Sequence, residues 1–149
     1  MKRVILMQGI SGSGKSTAAG ALVRSVHGGI ILSADDFLIE DGKYVHDETR
    51  VRTAHSRCFH AYTKALRSEV PLVIVDNTNL KWKNVRRYVD VAVKRGYETC
   101  LARVECDPVV AAFRNTHGVP AATVRLMSEQ LAAFQVPEGY TVPILSFPV

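Results

Sequence analysis

An apolar run, Val4 to Met7, leads into Gly9-Ile10-Ser11-Gly12-Ser13-Gly14-Lys15-Ser16 and then into a stretch with helical spacing. This G-x-x-x-x-G-K-S pattern between a strand and a helix constrains the fold more than any other feature of the chain. Gly9, Gly12 and Gly14 let the backbone curl, so that successive N–H groups converge as an anion nest. The following helix adds the positive end of its dipole. Lys15 is placed to reach the β- and γ-phosphates of a nucleoside triphosphate and Ser16 to offer a hydroxyl to Mg²⁺, with Ser13 in the loop and Thr17 supporting it. The motif by itself does not separate a kinase from an ATPase or a GTPase.

The remaining sequence alternates short apolar runs with longer helical segments. Strands are expected at Val4 to Met7, Ile30 to Leu32, Leu72 to Val75, Thr99 to Glu105 and Val142 to Phe147. Helices are expected over Ser16 to Val26, over Asp47 to Glu69 as one long or two shorter segments, over Lys81 to Arg95, from Asp107-Pro108 to near Gly118, and from Pro120 to about Phe134. Asp-Pro is a helix start, with Asp as N-cap and Pro in the first turn. Leu72 to Val75 is apolar throughout, as a parallel strand buried on both faces should be. The alternation predicts the α/β class: a parallel sheet with helices on both faces. No repeat, low-complexity stretch or linker divides the 149 residues, so a single domain over 1–149 is expected, with a helical lid over about 114–130.

Carboxylates follow two of the strands. Asp35-Asp36-Phe37 comes directly after the second, where ligands of open α/β sheets bind. One of the pair is expected to face the γ-phosphate and take a proton from an incoming hydroxyl, and the other to cap the turn or the next helix. Asp76 ends the apolar run Leu72 to Val75, the Walker-B pattern of a residue that holds Mg²⁺ through water. Asn77, Thr78 and Asn79 follow it, and such residues also form ordinary turns. Arg114, His117 and Arg125 lie around the Gly118-Val119-Pro120 break between two helices, where an Arg can close over a triphosphate. Lys81, Lys83, Arg86 and Arg87 surround Trp82. That cluster reads equally as a nucleic-acid contact or as an exposed helix start with Trp82 turned into the core.

Composition narrows the partners. The net charge is +5, from 19 Lys and Arg against 14 Asp and Glu, which favours anionic partners. The three cysteines, Cys58, Cys100 and Cys106, form neither a metal-like pair nor an even disulfide set, so a reduced, cytoplasmic compartment is the default. The first apolar run breaks at Gly9, too short for a signal peptide or a membrane span, and no membrane partner is expected.

Taken together, Gly9 to Thr17, Asp35-Asp36-Phe37, Val75-Asp76-Asn77-Thr78-Asn79-Leu80, and Arg114-Asn115 with Val119-Pro120 resemble the kinase domain of bacteriophage polynucleotide 5′-kinase and related small P-loop kinases of RNA and DNA repair proteins. The pieces occur in family order over residues 1 to about 134. The resemblance implies ATP and Mg²⁺ as cofactors and a nucleic acid with a 5′-hydroxyl end as acceptor. It makes Lys15 and Ser16 ligands of the β-phosphate and metal, Asp35 the general base, Asp76 and Thr78 the acceptor side, and Arg114 a lid contact to the donor phosphates. Leu38 stands where the phage enzymes carry an Arg for the acceptor phosphate, and His117 where a second basic lid residue is Arg. No D-x-D-x-T phosphatase motif is present in this sequence. Two other readings compete: a P-loop kinase of a small molecule, nucleoside or modified base, and a nucleotide-dependent regulatory switch with little turnover. The switch reading has no N-K-x-D stretch for guanine and no use for Asp35 as a base.

Overall fold

The computed structural model describes residues 1–45 and 47–148. Five strands form one parallel sheet: β1 (Arg3–Gln8), β2 (Ile30–Leu32), β5 (Leu72–Val75), β6 (Glu98–Glu105) and β7 (Ile144–Pro148), in the order β2-β5-β1-β6-β7. Parallel pairs need crossover connections. Here these carry α1 (Lys15–Val23), α2 (Glu48–Arg67), α3 (Trp82–Lys94), α4 (Pro108–Arg114) and α5 (Ala121–Ala132). A separate two-stranded hairpin, β3 (Ile39–Glu40) and β4 (Lys43–Tyr44), lies between β2 and α2.

Successive strand residues point to opposite faces, and the sheet uses both. Val4, Leu6, Val73, Val75 and Leu101 face one hydrophobic cluster with α2 and α3. Ile5, Met7, Leu72, Ile74, Ala102 and Val104 face the other, with Ala19 of α1. Helix α2 sends Ala54, Cys58, Tyr62, Ala65 and Leu66 inward, a spacing of three to four residues that makes one helical stripe. Buried Tyr62 satisfies its hydroxyl on the Tyr88 carbonyl at 2.7 Å. A third, smaller cluster joins Ile10 of the phosphate loop to Leu80, Ala111 and Val124, which packs α4 and α5 against the loops after β1 and β5.

Several expected details differ. Helix α4 ends at Arg114, not near Gly118. Asn115 is extended there, and its side chain takes over the turn: Oδ1 accepts from His117 N at 2.9 Å and Nδ2 donates to Val119 O at 2.7 Å. Asp35 and Asp36 do not leave a strand in alternating directions, because Ala34–Leu38 is a 3₁₀ turn. Its cap is Ser33, whose Oγ accepts from Asp35 N at 3.2 Å, and α2 is capped by Asp47. Asp36 caps neither.

Candidate functional site

Three loops meet at the carboxyl ends of β1, β2 and β5, the end of a parallel sheet where ligands bind. Long-range hydrogen bonds fix them against each other. Gly9 N donates to Thr78 O at 3.1 Å, and Ala34 N to Asn77 Oδ1 at 2.9 Å. Asn79, left-handed at φ 50, donates from Nδ2 to Met7 O at 2.6 Å. Gln8 Nε2 donates to Asn79 O at 3.0 Å and its Oε1 accepts from Arg103 Nε at 2.8 Å. Sequence reasoning treats Asn77 and Asn79 as turn formers and passes over Gln8 and Arg103. Their partners lie far along the chain, where no local pattern reports them.

The β1 loop forms the floor of a cleft of ≈ 390 Å³. Gly12 has φ +82, and a Cβ there would run into the Ala111 carbonyl of α4. Gly14 has φ +101 and opens α1 with no side-chain cap, which leaves the first amides of the helix available to an anion. Gly9 is packed close to Val104 O and to buried Ser13, whose Oγ has no hydrogen-bond partner among the described residues. Lys15 Nζ bends back to Ile10 O at 3.4 Å. Its pKa is lowered, first by burial, with Asp76 and Asp35 pulling the other way. Burial outweighs the two carboxylates, so further negative charge beside Lys15 would stabilise its ammonium form.

Ser16 Oγ donates to Asp76 Oδ2 at 2.7 Å, while Asp76 Oδ1 is buried without a partner among the described residues. An orphaned buried carboxylate oxygen beside a hydroxyl fits Mg²⁺, which is held by one or two protein oxygens plus phosphates and water. The described residues contain no cluster of three or more His, Cys, Asp or Glu that would hold a metal without such help.

The cleft brings Lys15, Ser16, Thr17, Asp35, Asp76, Thr78, Arg114 and His117 to one place. The Arg114 guanidinium reaches over the loop at Gly14. His117 Nε2 stands 3.9 Å from Asp35 Oδ2, and its ring lies 4.1 Å from that of Tyr44. Tyr44 lies beside Asp35, and burial followed by the Asp35 charge raises its pKa. Asp36 does not line the cleft, and its carboxyl is pushed up by desolvation and then by Asp35, with the Ser33 backbone opposing. Other expected groups are elsewhere. Arg125 is exposed and does not line the cleft. Arg86 pairs with Asp90, and Arg87 lies over the rings of Phe59 and Tyr88. Trp82 packs on Tyr140 and Phe134, and Arg103 lies over the Phe134 ring. Lys81 and Lys83 line a neighbouring groove that shares Thr78 and Met127 with the cleft.

A family model described as an AAA domain (AAA_33) matches residues 4–137. The chain belongs to that family. A similar protein is NEDD4-binding protein 2 of Homo sapiens, 30% identical over 146 residues that cover 95% of this chain and 8% of that protein. YLP motif-containing protein 1 of Rattus norvegicus is 26% identical over 155 residues, covering 87% of this chain and 11% of that protein. The chain thus spans about a tenth of the length of the curated relatives it matches. Among solved structures, a chain of the Pnkp1/Rnl/Hen1 RNA repair complex superposes with a TM-score of 0.73 at 16% identity, covering 89% of this chain and 44% of that one. A protein provisionally assigned as a kinase from Chloroflexus aurantiacus gives 0.73 at 20% identity, covering 99% and 88%. A gluconokinase from Sinorhizobium meliloti gives 0.61 at 20% identity, covering 97% and 82%. The fold is that of the P-loop kinase-type phosphotransferases. Among the described residues no helix is long and apolar enough to cross a membrane.

Proposed function

We propose that the chain transfers the γ-phosphate of ATP to an acceptor hydroxyl, and that this hydroxyl is the 5′-OH of a polynucleotide. The observation that carries the reading is one cleft lined by Lys15, Ser16 and Asp76 on its phosphate side and by Asp35 beside them. The fold is shared by proteins of RNA repair and of sugar phosphorylation, so the acceptor is read from the residues.

In this account the amides of Gly9 to Ser16, with Ser13 and Thr17, cradle the phosphates. Lys15 spans the β- and γ-phosphates. Ser16 and Asp76 would hold Mg²⁺, which when bound neutralises charge on the phosphate oxygens. Asp35 accepts the proton of the acceptor hydroxyl as its oxygen bonds to the γ-phosphorus. The bond from that phosphorus to the β–γ bridging oxygen breaks, and ADP leaves. Arg114 meets the charge on the transferring group from the lid, with His117 as a second basic residue there. Thr78 and Asp76 border the acceptor side. Lys81 and Lys83, in the groove that continues past Thr78, supply positive charge for the phosphates that follow a 5′ end.

An acceptor panel with γ-labelled ATP tests this. Label is expected on 5′-hydroxyl oligonucleotides and not on their 5′-phosphorylated counterparts. Added salt should depress the oligonucleotide reaction more than transfer to a free nucleoside, because phosphate contacts release counterions. Transfer to sugars or nucleosides with none to any oligonucleotide would place the chain among small-molecule kinases, a reading that buried Leu38 favours, since it leaves no cation at that point of the acceptor side.

A further inference from the structure

The cleft has a wall that the phosphate chemistry leaves unused. Leu38 closes the 3₁₀ turn, Tyr44 stands on the β3–β4 hairpin, and Val51 lies on the first turns of α2. All three line the cleft and pack on the larger hydrophobic cluster. Leu38 is 2% exposed, and Tyr44 and Val51 are half-buried. The Arg and Lys residues lining the cleft, among those described, are Lys15 and Arg114, one in the phosphate loop and one at the end of α4. A phosphate placed against the wall would lose water and meet no Lys or Arg, which is costly. A flat, uncharged ring would bury apolar area there at no such cost.

Two contacts show how Tyr44 is aimed. The His117 ring it packs against has Nε2 3.9 Å from Asp35 Oδ2, so the Tyr44 ring lies near the carboxylate assigned to the acceptor hydroxyl. Its ring also carries the imidazole of His117, with centroids 4.1 Å apart and planes at 54°. Tyr44 thus already holds one planar ring at contact distance at the mouth of the site. A 5′-hydroxyl and a nucleobase share one sugar, so a base seated on this wall leaves its own hydroxyl within reach of Asp35.

We propose that Leu38, Tyr44 and Val51 seat the base of the 5′-terminal nucleotide, with Tyr44 as the stacking residue, and that the acceptor is selected by this base rather than by the phosphate next to it. The inference rests on the 5′-hydroxyl kinase reading and names the part of the acceptor that the site reads.

The test compares two 5′-hydroxyl oligonucleotides that differ only in an abasic first nucleotide, with wild type, Tyr44→Ala and Tyr44→Phe. Base–aromatic stacking is worth about 1–3 kcal/mol, so wild type should favour the base-bearing end by about five- to a hundredfold in kcat/KM. Tyr44→Ala should bring that ratio close to one. Tyr44→Phe keeps the ring and should keep the ratio, while loss of the hydroxyl near Asp35 alters both acceptors alike. The ratio within each variant does not depend on the fraction of folded enzyme. Equal use of both oligonucleotides by wild type, or an unchanged ratio in Tyr44→Ala, overturns the inference and leaves the kinase reading standing. No transfer to either oligonucleotide overturns both.

Discussion

Lys15 concentrates the tension of the site in one residue. Burial disfavours its charge more than Asp76 and Asp35 favour it, so its pKa lies below the ordinary value. The loop therefore holds a cation that costs stability while no anion is present and gains a partner when phosphate arrives. Lys15→Met should abolish transfer and leave the melting temperature unchanged or raised; a melting temperature several degrees lower would contradict that account. His55, on the rim of the same cleft, gives a pH signature. Burial lowers its pKa, Arg87 lowers it further, and Asp35 partly offsets both. The unfolded chain therefore takes up this proton first, near 6.5. Stability from this group is complete above that pH and falls as pH drops below it. Denaturant titrations across that window should show a shallower pH slope in His55→Gln than in wild type, and identical slopes would dismiss the effect.

At the scale of elements, the segment proposed as a lid begins with a short helix that stops at Arg114 and a turn held by Asn115. That places Arg114 at the free end of α4, against the loop at Gly14. An Arg so placed meets charge that grows toward the transition state. Arg114→Ala is expected to lower kcat by about a thousandfold and to change KM for ATP little. A change confined to KM would make it a ground-state binder. The same elements show what the sequence discloses. The phosphate loop is legible because its eight residues and its flanking strand and helix are all local. β1 and β5 are legible because strands buried on both faces read as unbroken apolar runs. The hairpin at 39–44 escapes a periodicity reading, because its strands are two residues long. Its signal is the Asp41-Gly42 pair, both at positive φ, the preferred chemistry of a tight hairpin turn. With the hairpin goes Tyr44, which nothing in the sequence pattern places beside Asp35.

Across the whole molecule, the two-faced sheet is the rigid body and the site is the set of loops it holds at one end. The Gln8–Asn79–Arg103 network and the Asn77 bond to Ala34 lock the loops of β1, β2 and β5 together. The placement of Lys15 relative to Asp35 is therefore set by the sheet and not by any one loop. Catalysis in this account needs both halves of the cleft: a cradle for ATP, and Asp35 to take the proton of the hydroxyl that attacks it. The most direct measurement is single-turnover transfer of γ-labelled phosphate from ATP to a 5′-hydroxyl oligonucleotide by wild type and by Asp35→Asn, with ATP affinity measured on both. The account predicts a rate lower by at least about a hundredfold in the variant, with ATP affinity nearly unchanged. An equal rate in Asp35→Asn would contradict it.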